Sequence, residues 1–365
     1  MIPPRPRLWI WFVWLGLFYS VWATIVFGFV GWQTVADHWP MALAMAFGSY
    51  VAGSTPMGGG TVGFPVLVLL FDLPATLGRD FSFAVQSIGM TSATIFIIAR
   101  RQPLAWSMLQ GAMLGSLVCT PLGILFIAPL VPELWIKVVF AVVWASFGVL
   151  HLFRVGEFAA QEGMTSPGEH WDFRVGLVVG SVSGATVAAV TGVGIDMVLY
   201  AALVLLCRAD LKVAIPTSVV IMAFTSVIGI GFKGAFTGIQ PGVFENWLAA
   251  APVVALGAPL GAFAVALIGR KPTLVFVAVL CVAQFVWTCY AERVALGPVG
   301  ILLAVCAVAL ALAGFEKLRA WGRMLGHLAP EPAPAFIAEL DEPRSGASGR
   351  DGSNTEGGGP RQRHP

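Results

Sequence analysis

The chain has 365 residues, 58% of them hydrophobic and only 11% charged, with a formal net charge of +2. A soluble domain carries about a quarter charged residues, and this chain has too little polar surface to cover a globule of its size, so a water-soluble protein is excluded. The net charge is too small and too scattered to make a surface for nucleic acid, which leaves an all-α polytopic membrane protein.

Residues 1–33 hold the first span. Arg5 and Arg7 precede an apolar run from Leu8 to Val30. That run is too long for the hydrophobic part of a signal peptide, and no small-x-small cleavage site follows, so an uncleaved transmembrane helix is predicted. Its tryptophans, Trp9, Trp11, Trp14 and Trp22, suit a membrane interface. Residues 40–71 are apolar but too long for one span, and Gly53-Ser-Thr-Pro-Met-Gly-Gly-Gly60 breaks them near the middle. The pieces on either side, about 13 to 17 residues or roughly 20–25 Å of helix, fall short of the roughly 30 Å hydrocarbon core. They predict a hairpin of two half-helices meeting inside the membrane. Full spans follow at 80–99, 106–128 and 134–153, completing a first repeat over 40–153.

Residues 154–173 are polar and read as a cytoplasmic linker. A second overlong apolar stretch, 174–206, is broken at Thr191-Gly-Val-Gly194 and predicts a second half-helix hairpin. Runs at 212–232, 246–268 and 272–290 complete a second repeat over 174–290. A final span at 294–314 lies in the segment 291–328, which has a basic end. Residues 329–365 turn to Pro, Gly, Ser and charge, the composition of a disordered cytoplasmic tail.

The two broken stretches are copies of one another. A shift of 136 positions lays Gly58 on Gly194, Gly48 on Gly184, Leu67-Val-Leu-Leu70 on Leu203-Val-Leu-Leu206 and Ser82 on Ser218. Two inserted residues later, Pro121-Leu-Gly123 meets Pro259-Leu-Gly261. With the N-terminus in the cytoplasm and each hairpin returning to its own side, thirteen basic residues near spans face inward and four outward, as the positive-inside rule requires. The hairpins then enter from opposite sides. The expected architecture is two inverted repeats, each a broken half-helix hairpin plus three transmembrane helices, with extra terminal spans and both termini cytoplasmic.

A half-helix that starts inside a membrane has unpartnered N–H groups, tolerable only where protein or a wet cavity covers them. Those groups and the helix dipole favour an anion. Gly58, Gly59 and Gly60 let a ligand approach the backbone, and Ser54, Thr55 and Thr61 supply hydroxyls; Thr191, Gly192 and Gly194 do the same in the second hairpin. Glycines at such places also serve close helix packing, and both roles fit here. Ser82 and Gln86 share a face of the span after the first hairpin, with Thr217 and Ser218 corresponding in the second repeat; they fit a cavity lining or ordinary interhelical hydrogen bonding. Asp196 is a carboxylate deep in an apolar stretch, a functional candidate by its cost alone. It fits two roles, capping the half-helix that starts beside it and coupling to a proton or cation. Arg79, Asp80, Arg208, Asp210 and Lys212 read as anchors at span ends, and Lys233 as an anion-steering charge at an outer mouth.

Several chemistries are absent. Gly58-Gly-Gly60 is not followed by Gly-Lys-Ser/Thr, so there is no P-loop and no need of an ATPase subunit. Gly180-Ser-Val-Ser-Gly184 does not fit a nucleophile elbow. The histidines His38, His151, His170, His327 and His364 read as loop, span-end or tail positions, which leaves a serine nucleophile no base. The five cysteines form no C-x-x-C pair and suggest neither disulfides nor zinc. No catalytic residue, metal site or cofactor is expected.

The run Gly53-Ser-Thr-Pro-Met-Gly-Gly-Gly-Thr-Val-Gly-Phe-Pro65, followed by Leu-Val-Leu-Leu and by Ser82, resembles the sulfite exporter TauE/SafE family. It recurs in degenerate form at Thr191-Gly-Val-Gly194 and Ala214-Ile-Pro-Thr-Ser218. The second copy carries Ile195-Asp196 where the family has further glycines. The resemblance implies a permease of the bacterial inner membrane that exports a small anion, sulfite or an organosulfonate such as sulfoacetate, by alternating access. It also implies a site between the repeats lined by Gly58 to Gly60 and Gly192 to Gly194. A proton- or cation-coupled importer of another small solute, favoured if Asp196 lines the cavity, is the first alternative. A membrane assembly or signalling protein without flux, favoured if the glycine breaks are dry and packed, is the second.

Overall fold

The computed structural model describes residues 7–268 and 270–328; at 60, 61, 262, 264–268, 270 and 326–328 it describes the backbone alone. The expected tail at 329–365 lies outside the described residues, as does Arg5. Among the described residues the regular structure is helical, and nine helices are long and apolar enough to cross a membrane.

Helix α1 (Trp9–Ile25) continues through a π-helical turn (Val26–Val30) to Gly31, whose φ of 98° ends it, and α2 (Trp32–Asp37) follows. Helix α3 (Trp39–Ser54) opens with a proline in its first turn, where the missing N–H costs nothing. The chain then breaks over residues 55–59 and resumes as α4 (Gly60–Pro65), extended by a π turn (Val66–Leu70). A Cβ on Gly48 or Gly63 would press on Met45 and its neighbours, so the two arms fold against each other as a hairpin. Then come α5 (Ala75–Ala99), α6 (Trp106–Phe126) and α7 (Glu133–Ala159). The Glu133 carboxylate accepts the Ala75 and Thr76 N–H groups, so the start of α7 caps the start of α5.

The second copy opens with α8 (Glu169–Ser183), which continues through a π turn (Gly184–Ala188) and α9 (Ala189–Thr191) to the break at Gly192-Val193-Gly194. Here the structure corrects the expected short arm. Glu169–Thr191 forms 23 residues of helix, enough to cross a bilayer, because the helix begins inside the polar segment assigned to the linker. The returning arm is short, α10 (Ile195–Ala201) plus a π turn (Ala202–Leu206). Helix α11 (Leu211–Phe232) is capped by the Asp210 carboxylate, which accepts the Lys212 N–H at 2.8 Å, and runs into a π turn (Lys233–Thr237). Helices α12 (Val243–Ile268), α13 (Arg270–Ala291) and α14 (Arg293–Leu328, kinked at Gly297) complete the chain.

Each hairpin packs on the other half of the sequence. Helix α3 lies along α12 and α8 lies along α6, while α5 pairs with α11 and α7 with α13. Exchanging the halves maps this set of pairs onto itself. The α6–α8 contact is nearly backbone to backbone. A Cβ on Gly111, Gly115 or Gly123 would strike the backbone of the α8 segment, and one on Gly176 or Gly180 would strike α6. Small residues replace the hydrophobic effect here, since lipid is as apolar as leucine and only close packing favours one helix over lipid. The α3–α12 contact uses the same device, with Gly257 against Ser49 and Gly261 against the Tyr50 backbone.

Helix α1 is fastened to this body through polar atoms. Trp11 Nε1 donates to Ser92 Oγ, Tyr19 Oη to the Pro252 carbonyl and Trp22 Nε1 to the Leu248 carbonyl. Two of the four tryptophans assigned to an interface thus spend their N–H groups inside the protein. Ser92, which accepts from Trp11, also ties α1 to α12 through the Ala255 carbonyl.

Candidate functional site

Gln86 stands at the middle of α5, and Asp196 in the first turn of α10. Both are buried, at 3% and 1% exposure. Gly58, in the first break, lies between them with a φ of 66°. A Cβ on Gly58 would sit 2.8 Å from Asp196 Oδ2, 2.8 Å from Gln86 Oε1 and 3.7 Å from the Met90 methyl. The left-handed backbone and these two oxygens together require glycine. The two breaks, 136 positions apart in sequence, therefore touch through the Asp196 side chain.

The second break is built by two glycines in the left-handed region. The Gly192 N–H donates to the Ala188 carbonyl at 2.8 Å and closes the helix, with a φ of 80°; Gly194 follows with 98°. A Cβ on Gly192 would strike the Arg79 carbonyl and lie 3.1 Å from the Ser82 Cβ. So the second break seats against the start of α5, and the first against its middle. Met57 Sδ meets Cys281 Sγ of α13 at 3.4 Å, and Gly194 faces the Trp144 ring of α7. Each break is thus also backed by the last helix of its own partner pair, α13 or α7.

The two carboxylate oxygens of Asp196 are placed differently. Its Oδ1 accepts the Gly194 N–H at 3.1 Å, which caps α10. Its Oδ2 has no hydrogen-bond partner, and neither has Gln86 Oε1. Gln86 Nε2 faces the Ser82 carbonyl at 3.4 Å.

The hydroxyl candidates divide. Ser54 and Thr55 turn back on the Val51 carbonyl, at 3.3 and 2.8 Å. Ser82 Oγ donates to the Gly78 carbonyl and Ser218 Oγ to the Ile215 carbonyl, both at 2.8 Å. Thr191 Oγ1 lies 2.8 and 3.0 Å from the Val187 and Val193 carbonyls, closing its own turn. Thr217 stands apart: its Oγ1 accepts the Ala105 N–H at 3.0 Å and pins the connection between α5 and α6. Gly59 lines a small cavity with Met45, Ser49, Gln86, Met90 and Val254. Its volume, about 10 Å³ for the centre of a water molecule, admits at most one water. The backbone of Gly60 and Thr61 begins α4, and the Thr61 side chain lies outside the described residues.

Two groups of charged and polar residues are placed differently from their sequence reading. Arg79 and Asp80 are buried inside α5, and Lys233 is buried too, not free at a mouth. Asp80 lies 3.0 Å from Arg79 Nε and 3.3 Å from Lys233 Nζ, and it accepts the Gln240 N–H. His151 is fully buried within α7, since that helix runs on to Ala159, beyond the expected end of the span. Its Nδ1 lies 2.8 Å from the Phe147 carbonyl and its Nε2 3.1 Å from Tyr200 Oη on α10. Among the described residues no group of three or more His, Cys, Asp or Glu side chains could hold a metal.

A multi-pass helical body with interrupted helices meeting in its interior is an arrangement common among membrane transporters. The sulfite exporter TauE/SafE family model matches residues 41–288, from early in α3 to near the end of α13, and the chain belongs to that family. Membership implies a membrane transporter of the sulfur-anion exporter class. The match takes in both breaks and every candidate site residue, and omits α1, α2 and the whole of α14. No curated protein and no solved structure matches the chain.

Proposed function

We propose that the chain exports a small sulfur oxyanion or organosulfonate, sulfite or sulfoacetate in class, across a bacterial inner membrane by alternating access. The observation that carries this is the meeting of the two glycine breaks around Gln86, inside the body and away from its helix ends. Gly58, Gly59 and Gly60 on one side and Gly192 and Gly194 on the other form the substrate site, with Ser82 and Gln86 between them. An oxyanion at this place accepts backbone N–H groups at the starts of α4 and α10. The cavity beside Gly59 has room for no more than one water. Substrate entry then requires one hairpin to move against α5, exposing the site to one side at a time.

The matched packing of the halves, α3 on α12 and α8 on α6, supports an inverted pair of repeats. Such a pair gives two conformations of similar energy facing opposite sides. The N-terminus and the C-terminal end of α14 are cytoplasmic in this arrangement. Asp196 in the site gives some weight to a second reading, a proton- or cation-coupled importer.

The test is ligand-dependent thermal stability of the purified protein with sulfite, sulfoacetate, taurine, sulfate, acetate and chloride. A ligand that binds the native state raises the melting temperature by mass action. Sulfite or sulfoacetate is expected to give the shift, and Gly59→Leu, which fills the space beside Met45 and Ala52, to abolish it. A shift with sodium alone and with no anion would favour the second reading.

A further inference from the structure

Two oxygens, one of a carboxyl group that is acceptor-only when ionised and one of an amide, converge on one buried point. Asp196 Oδ2 and Gln86 Oε1 are unpartnered, and each lies 2.8 Å from the same position beside Gly58, so they are separated by at most twice that distance. Such a pair is unfavourable unless a donor or a positive charge stands between them. Reversing the Gln86 amide would offer Asp196 a donor, but it would turn Oε1 onto the Ser82 carbonyl at 3.4 Å. A metal cation needs more oxygen ligands than these two, and the adjoining cavity is lined by apolar side chains apart from Ser49 and Gln86. A proton needs only one donor atom and one acceptor.

We propose that Asp196 binds an exchangeable proton, which Oδ2 donates to Gln86 Oε1, and that this proton accompanies the anion through the transport cycle. The proposal rests on the transporter reading above and adds its co-substrate. When the site opens to water, a proton joins the carboxylate to give the neutral acid, and it leaves to water when the site opens to the other side. An ionised Asp196 beside Gly58 would repel an anion at the same glycines, weakening its binding by at least roughly tenfold. Proton and anion therefore bind cooperatively and move in the same direction, with the two gradients together setting which way.

The surrounding titratable groups are otherwise engaged. On α5, Asp80 pairs with Arg79 and with Lys233 of the π turn after α11. Tyr200, one turn along α10, is bonded to His151 of α7. Cys281 of α13 contacts Met57. Asp172 of α8 and Lys212 of α11 lie at the ends of their helices remote from the break.

Two measurements on the full-length protein test this. The first is infrared difference spectroscopy of wild type against Asp196→Asn near neutral pH. A protonated-carboxyl C=O band is expected in wild type, absent from Asp196→Asn and displaced in Gln86→Leu. The second is binding of methanesulfonate, whose own charge does not change with pH, from mildly acidic to mildly alkaline conditions. Affinity is expected to fall at least tenfold as pH rises in wild type and to be independent of pH in Asp196→Asn. Gln86→Leu, which keeps the carboxyl and loses its acceptor, should move the midpoint of that pH dependence and so guards against a variant that fails to fold. The absence of a carboxyl band, or a band that sodium removes at constant pH, would overturn the proton site. A band without binding of any anion would leave the proton site standing and overturn the anion reading instead.

Discussion

Asp80 is fully buried, with Arg79 and Lys233 as its counter-ions and the Gln240 N–H as a further donor. Removing its charge leaves two buried cations without a partner, a loss of about 3–5 kcal/mol for a broken buried pair. Asp80→Asn is therefore expected to lower the melting temperature sharply. Adding Lys233→Met should recover part of that loss, because one of the two stranded charges is then gone. Equal destabilisation in the single and double variants would show that Lys233 is not held by Asp80. None of this cluster could be paired from sequence: Asp80 and Lys233 lie 153 positions apart with no periodic link. Asp196 was legible because a lone carboxylate stands out in an apolar stretch. Gln86 was legible only as part of a polar helix face, and its convergence with Asp196 at Gly58 depends on how the two breaks dock. His151 was misplaced because its helix outruns the apolar run used to find it.

At the scale of elements, apolar length located eight of the nine spanning helices found among the described residues, because a bilayer fixes how much helix must be apolar. It failed where a helix recruits polar residues, as at the start of α8, whose first turn carries Glu169 and Asp172. The π turns that extend α4, α8, α10 and α11 had no sequence signal either. The glycines of α6 and α8 separate by environment. Gly115 has the Leu177 carbonyl and the Ser181 amide within 2.6 Å of where a Cβ would sit, whereas Gly16 of α1 has nothing within 4 Å. Gly115→Leu is expected to force α6 from α8 and to abolish a monodisperse, folded preparation in detergent. Gly16→Ala should be neutral or stabilising by up to about 1 kcal/mol through helix propensity. Size-exclusion profiles and melting temperatures of the two variants check the contrast. Similar behaviour of both would mean that the α6–α8 contact does not hold the halves together.

For the whole molecule, the exchange of hairpins between halves has a mechanical consequence. Helix α3 is tied to α12 and α8 to α6, so neither half can close a pathway by itself. Gly58, Gln86 and Asp196 meet at one point, so in the proposed cycle a motion of one hairpin against α5 would change the surroundings of all three together. The family match covers this exchanged body and excludes α1, which is fastened to it by three side-chain hydrogen bonds and contributes nothing to the breaks. Flux of a sulfur oxyanion through this body is the central claim, and exchange of labelled sulfite in proteoliposomes measures it most directly. With unlabelled sulfite inside, wild-type vesicles are expected to accumulate label transiently, and Gly59→Leu vesicles to behave like protein-free ones. Wild-type vesicles that take up no more label than empty ones, from protein shown to be folded, would contradict the account.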